Sequence, residues 1–342
     1  MKQNYIKSFL FTTNMNTFKE IYDVLSKEKE FLLSLHSNPD GDSLGSCLAM
    51  KYFLERDFNA KVKLVSFDNL SKSIERLDYN KEVLFGEDIE DYLTKDTFLI
   101  ALDCGAASRI GKMKKGYQIP KHIKSLNIDH HETNENFATY NFVDKEAPST
   151  CSILLDMFKE LNTTIDRELA RRLMIGIVTD TNHFKALKGS VKSMKDVIFL
   201  EEKGGNFEED ILKDYTYKTE VNIKKYHGKI LENLEVNKEL KLALSVVSEE
   251  DIEKLDLNIS DIRSGINELT GITNTDYAAL LVVTKDFVKG SIRSFNNKDI
   301  SKIVQKLGGG GHKQRAGFYC EKPLEEIKKI LFEEIKKLIN TQ

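Results

Sequence analysis

The sequence predicts an α/β protein of two domains: an N-terminal domain on a mainly parallel sheet flanked by helices, and a smaller C-terminal α/β domain. Three observations predict it. Short apolar runs alternate with helical patterns through the first half, a charged helical stretch without strand signals follows, and strand and helix patterns then resume. The 342 residues also exceed the usual size of one domain.

The elements follow in order. Phe31–Leu35 reads as a buried strand and Leu44–Leu54 as an amphipathic helix; Lys61–Phe67 alternates more and reads as a strand nearer an edge. Thr97–Leu102, Ser125–Ile128 and Thr139–Val143 complete the sheet, and two helices fill the stretch from Ser149 to Val178. We take residues 1–196 as the first domain, 197–235 as a helical connector broken at Gly204-Gly205, and 236–342 as the second domain. In the latter, Leu240–Val247 reads as a strand, Asp261–Leu269 as a helix, and Tyr277–Val283 with Val288–Ser294 as a strand pair turning at Lys285–Phe287. Asp299–Leu307 reads as a helix running into Gly308–Gly311, and Leu324–Ile339 as a packed amphipathic helix with lysines opposite its apolar face.

A formal charge of −3 argues against a protein that coats long nucleic acid electrostatically, while leaving room for a local basic pocket. Cys47, Cys104, Cys151 and Cys320 form no CxxC pair, so they read as buried thiols rather than a zinc ribbon, redox pair or disulfide framework. No apolar run approaches the ~18 residues of a membrane span, and the first residues lack a leader pattern. The expected location is the cytoplasm, without membrane association.

The chemistry concentrates where apolar segments end. His36-Ser-Asn-Pro-Asp40-Gly-Asp42 follows the first strand, Asp103 ends the third, Asp129-His130-His131 ends the fourth, and Asp180 emerges from an apolar helix. Ligands of open α/β sheets bind outside the carboxyl ends of the strands. Carboxylates with imidazoles suit divalent metals, and about six such ligands can hold two ions ~3.5–4 Å apart, as in phosphoryl displacement. Taken alone, Asp42 or Ser43 could simply cap a helix. A structural zinc would favour cysteine, and no serine or cysteine sits in a nucleophile-elbow context. In the second domain, Gly308–Gly311 with His312, Arg315 and Arg293 reads as a phosphate cradle rather than a linker.

These residues resemble the DHH/DHHA1 phosphoesterase family. HSNPDGDSLGS is similar to its first motif, ALDCG to its second, Asp129-His130-His131 to its third and GIVTDT to its fourth; SIRS and GGGGHKQRAGF are similar to the DHHA1 half. The likeness spans about residues 30 to 320, and within the family it is to nano-RNases that also act as pAp phosphatases. The resemblance implies two Mn²⁺ ions, one on His36, Asp40 and Asp103, the other on Asp42, Asp103, His130 and Asp180. It implies that His131 contacts the scissile phosphate or polarises the nucleophile, that Asp129 orients a histidine, and that Asp103 serves both metals. Arg293, Ser294, Gly308, Gly309, Gly310, Gly311, His312 and Arg315 would hold the substrate's terminal nucleotide across a cleft between the domains. Arg109 stands where the family often has an arginine; a surface ion pair is its other reading. Asn182-His183 replaces a glycine common in the family, and we read His183 as a surface histidine rather than a ligand. A small residue is common in the family where Arg315 stands.

The implied substrates are short RNA oligonucleotides and 3′-phosphoadenosine 5′-phosphate (pAp). The alternative is a phosphodiesterase for pApA or cyclic di-AMP. Long duplex DNA is not expected as a partner, and the resemblance is compatible with a homodimer. A pyrophosphatase would lack the GGGGH element, and an exonuclease on long strands would want a basic channel with stacking aromatics.

Overall fold

The computed structural model describes residues 13–15, 17–86, 88–111, 118–184, 190–216, 218–257, 261–296 and 298–340. The chain divides into two compact units, Met1–Lys218 and Thr219–Gln342.

The first unit contains β1 (Thr13–Asn14), α1 (Phe18–Leu25), β2 (Glu30–Ser34), α2 (Gly41–Phe58), β3 (Lys61–Ser66), α3 (Lys72–Glu75) and β4 (Leu84–Phe85). It continues with β5 (Phe98–Leu102), β6 (Ser125–Asp129), β7 (Tyr140–Val143), α4 (Thr150–Glu160), α5 (Arg167–Asp180) and α6 (Ser190–Glu202). The strands form one sheet in the order β1-β7-β6-β5-β2-β3-β4, with every neighbouring pair parallel. Alternate residues face alternate sides: Phe31, Leu33, Phe98, Ile100 and Leu102 pack under the helices, whereas Leu32, Val65, Leu99 and Ala101 pack under loops and short 3₁₀ turns. From β2 the chain moves outward through β3 to β4, then returns to place β5 on the other side of β2. The strand order therefore reverses between β2 and β5, which opens a crevice at their carboxyl ends.

Helix α2 begins earlier than its apolar pattern, because the Asp40 carboxylate accepts the Ser43 N–H at 3.2 Å and caps it at Gly41, and it ends later, at a left-handed Asn59. Helix α5 likewise runs on to Asp180, placing that carboxylate in its last turn rather than beyond it. The two helices pack at glycines. A Cβ at Gly45 would stand 2.8 Å from both the Arg172 carbonyl oxygen and the Gly176 nitrogen, and one at Gly176 would stand 2.3 Å from Asp42 Oδ1 and Cys151 Sγ.

The second unit contains α7 (Val221–Glu232), β8 (Glu235–Asn237), β9 (Leu242–Ser248), α8 (Glu249–Glu253), β10 (Tyr277–Val283), β11 (Val288–Ser294), α9 (Ser301–Gln305), β12 (Gly310–His312), β13 (Arg315–Cys320) and α10 (Leu324–Asn340). Its sheet runs β12-β13-β11-β10-β9-β8, antiparallel except for the β9/β10 pair. Apolar residues of α9 and α10 cover one face. On the other, α7 and the segment Asp261–Leu269 cover Ala243, Val247, Ala278, Leu280 and Val282 of β9 and β10. That segment is a helix over the expected residues, of 3₁₀ type, and the helix read at 299–307 shortens to α9. The glycine run is not all loop, since Gly310 and Gly311 are paired in β12. No helix among the described residues is long and apolar enough to cross a membrane.

Gly45→Val should destabilise the first unit by about 1–3 kcal/mol, because its branched side chain meets rigid backbone of α5. Urea denaturation with an unchanged slope would measure it; a variant as stable as the parent would mean that α2 and α5 separate without cost.

Candidate active site

The crevice between β2 and β5 gathers the acid and imidazole groups. His36 lies two residues beyond β2, Asp103 directly follows β5, Asp129 ends β6 with His130 and His131 after it, and Asp180 ends α5. Asp103 is 2% exposed and adopts φ +55°, a left-handed backbone that a non-glycine residue holds only when its surroundings impose it.

Three donor groups among the described residues share Asp103, and two of them are made of residues expected as metal ligands. The ligand atoms of His36, Asp40 and Asp103 lie within 4.8 Å of one another, as do those of Asp42, Asp103 and His130. His36 Nε2 stands 3.6 Å from Asp40 Oδ1 and 3.4 Å from Asp103 Oδ2. His130 Nε2 stands 3.4 Å from Asp103 Oδ1, 3.6 Å from Asp180 Oδ2 and 4.0 Å from Asp42 Oδ2. All six residues expected as metal ligands are thus in one place. Each imidazole turns Nε2 toward the carboxylates while Nδ1 faces a backbone carbonyl, Ser37 at 2.9 Å for His36 and Ala147 at 3.3 Å for His130. Nδ1–H donation to those carbonyls leaves the Nε2 lone pair available to a cation. Hard carboxylate oxygens and imidazole nitrogens at these separations fit divalent metals.

His131 forms the third group, with Asp103 and Asp129, its Nδ1 3.6 Å from Asp103 Oδ1. Its Nδ1 bonds Asp129 Oδ1 at 2.7 Å, and Asn134 Nδ2 donates to Asp129 Oδ2 at 2.6 Å and to Asn127 Oδ1 at 2.8 Å. The Asp129 carboxylate therefore holds the His131 ring and is itself held. Arg109 belongs to the site rather than to a surface ion pair, its Nη2 lying 3.1 Å from His36 Nδ1 and 3.4 Å from the Ser37 carbonyl oxygen. His183 lies in no donor group among the described residues; its Nε2 meets Thr216 Oγ1 at 2.7 Å and its ring stacks on Tyr215.

Sequence reasoning missed Asn134 and the start of α4. The backbone N–H groups of Thr150 and Cys151 donate to Asp42 Oδ2 and Oδ1 at 2.7 and 3.0 Å, and the Thr150 hydroxyl donates to Asp103 Oδ1 at 3.4 Å. A helix N-terminus thereby offsets negative charge on both carboxylates. The signal was the Ser149 N-cap, legible as a helix start but not as part of a site.

Burial and mutual charge shift the titration of the cluster's groups. Burial pushes the Asp42 carboxyl well up, and the charges of Asp103 and Asp180 add to it. Burial also opposes ionisation of Asp103, but bonds to His130 and His36 overcome it and hold the carboxyl well below the usual range. For His36, burial lowers the pKa and Arg109 lowers it further, yet Asp40 and Asp103 raise it to about 9. His130 is raised in the same sense, the pull of Asp103 and Asp180 outweighing burial.

In the second unit, cross-strand register sets His312 beside Arg315 and Arg315 beside Arg293, one row of three donors on one sheet face. Ser294 alternates to the opposite face, is 4% exposed and donates its hydroxyl to Asn296 Oδ1, so it is not part of that row. Gly308 needs its φ of +78°. At Gly309 and Gly311 a Cβ would collide with β13, at 2.2 Å from the Gly317 carbonyl oxygen and 2.5 Å from that of Arg315. Three of the four glycines are thus explained by the fold itself. At Gly310 a Cβ would meet nothing within 4 Å.

An all-parallel sheet with an acid and imidazole cluster at its switch point, followed in the chain by a second α/β unit, defines an α/β protein whose candidate site lies at the carboxyl ends of its strands. The model of the DHH family, N-terminal domain, matches residues 30–177, and that of the DHHA1 domain matches residues 240–341. The chain belongs to the DHH/DHHA1 phosphoesterase family. It is 24% identical over 328 residues to a probable bifunctional oligoribonuclease and PAP phosphatase of Streptococcus mutans, covering 95% of this chain and all of that one. The fold is similar to an exopolyphosphatase-related protein from Bacteroides fragilis (TM-score 0.81, 21% identity, 94% and 97% of the two chains). It is also similar to an exonuclease RecJ bound to manganese (TM-score 0.54, 12% identity, 96% and 97% covered).

Adding Mn²⁺ to metal-free protein should raise its melting temperature, since a ligand that binds only the native state stabilises it. Asp103→Asn should remove that rise; an undiminished rise would show that the two donor groups do not depend on Asp103. Because a cation must displace protons held on His36 and His130, apparent metal affinity should increase as pH climbs toward 9. Calorimetric titrations in buffers of different ionisation enthalpy would detect the released protons.

Proposed function

We propose that this protein hydrolyses phosphoester bonds of short RNA oligonucleotides and of pAp, using two divalent ions, Mn²⁺ by preference. The observation that carries the reading is that two donor groups of expected metal ligands have Asp103 in common. His36, Asp40 and Asp103 would hold one ion; Asp42, Asp103, His130 and Asp180 would hold the other. Bound there, the ions would supply Lewis acidity and a water of lowered pKa.

The chain's own residues do the rest. The α4 N-terminus and the Nδ1-anchored imidazoles keep the carboxylates in register before substrate arrives. His131, fastened through Nδ1 to Asp129, presents Nε2 as the group that contacts the scissile phosphate or moves a proton there. Arg109 keeps positive charge beside His36, where an anionic substrate would approach. In the second unit, the row of Arg293, Arg315 and His312 would hold a phosphate of the substrate's end, and the open space over Gly310 would admit its backbone. The Streptococcus mutans relative supports this substrate class, and the manganese held by the RecJ neighbour supports the choice of metal.

Product formation by the manganese-loaded protein on pAp, a two- to five-nucleotide RNA, pApA and cyclic di-AMP tests the reading. We expect turnover of the RNA and pAp; exclusive turnover of cyclic di-AMP or pApA would replace it with the alternative. His131→Ala should lower kcat by about 10²–10⁴-fold. Asn134→Ala should lower it by roughly 10–100-fold and shift the pH profile, because it loosens Asp129 without removing a reacting group. An unshifted profile in that variant would mean that Asn134 does not act through His131.

A further inference from the structure

The sheet face that carries the Arg293 row continues beyond it. Along β11 and β13 the same face presents Arg293, Ser291 and Lys289 opposite Arg315, Gly317 and Tyr319, with His312 and Gly310 alongside on β12. None of these residues is buried, although the same face of β9 and β10 lies under α7 and the 3₁₀ helix. Three rows result: His312, Arg315 and Arg293; then the small Gly310, Gly317 and Ser291; then Tyr319 and Lys289. Strand rise separates the first row from the last by about 13–14 Å.

The last row has the makings of a base platform. Tyr319 is 49% exposed, unusual for so large a ring on a sheet. Phe287 buttresses it edge-on, ring centroids 5.4 Å apart at 71°. The Lys289 ammonium lies 5.9 Å from its centroid. Strands β11, β12 and β13 contain no carboxylate in their sequences. The middle row keeps the floor low, and at Gly310 no packing demand explains the missing side chain.

We infer that this strip binds a second nucleotide of a single-stranded oligonucleotide: its base stacks on Tyr319, Lys289 meets a backbone phosphate, and the preceding phosphate lies on the Arg293 row. The inference rests on the proposed function and adds to it a means of favouring oligonucleotides over mononucleotides. Stacking on an exposed aromatic tolerates any base, which suits degradation products of mixed sequence. Gly310 leaves room for the chain to cross between the rows.

The test compares KM values of the full-length, manganese-loaded protein for a trinucleotide RNA and for pAp. Tyr319→Ala should raise the RNA-to-pAp ratio of KM values about tenfold, and Tyr319→Phe should restore it. A phosphorothioate-linked trinucleotide with 2-aminopurine at successive positions should be quenched at one internal position by the parent and the Phe variant, and not by the Ala variant. A ratio within about twofold of the parent's, with quenching retained in the Ala variant, would overturn the strip. Parent protein active on pAp that neither binds nor cleaves RNA would overturn it as well, leaving the phosphoesterase reading standing. A parent that binds and quenches the trinucleotide but cleaves neither substrate would instead reject the proposed function.

Discussion

The buried carboxylate of Asp103 is the constraint on which the first unit depends. Removing an ion of that size from water costs several kcal/mol even after relaxation, and Asp42, equally buried, repels it. The surroundings are arranged to offset that cost. Two imidazoles approach it within 3.4 Å, a threonine hydroxyl donates to it, and the first turn of α4 donates two backbone N–H groups to its neighbour. These compensate part of the charge. The remainder leaves a buried group of acids and imidazoles whose donor atoms could hold divalent cations.

That constraint reaches outward into the packing. Asp42 can meet the α4 N-terminus only if α2 lies very close to α5, and Gly45 and Gly176 permit the approach. A methyl group at Gly176 would occupy the space of the Asp42 carboxylate itself. Residues with no chemistry of their own are therefore no less necessary to the site than the ligands. The left-handed turn at Asp103 follows from the same demand: β5 must end sharply for its carboxylate to face both His36 beyond β2 and His130 beyond β6.

Much of this was legible because the sequence signals were local. Five strands and the α4/α5 pair show as apolar runs, and the acid and imidazole residues stand at their ends, where a parallel sheet gathers its ligands. What was hidden depends on contacts between distant residues. β1 and β4 are two residues long and exist only as edge partners of β7 and β3. Asn134 looks like any polar loop residue until Asp129 is beside it. The glycine run showed only one of its reasons, since the motif invites a ligand-facing reading for all four residues. Sheet pairing requires Gly309 and Gly311 to be small whether or not a ligand is present. The contacts that hold His183 were hidden because Tyr215 and Thr216 lie more than thirty positions away.

The two sheets solve different problems with strand geometry. In the first, parallel strands end together, so residues far apart in sequence converge on one point; that suits a charge cluster needing six ligands within a few ångströms. In the second, antiparallel register lines side chains in rows across β12, β13 and β11, and the rows repeat at two-residue intervals along the strands. A point-like arrangement recognises an ion or a single phosphate. A ruled surface recognises something with a repeat of its own. The chain carries one of each, and under the function proposed above a short polymer of phosphodiesters would call for both: one bond to be broken at a point, and a length of backbone to be measured along a line.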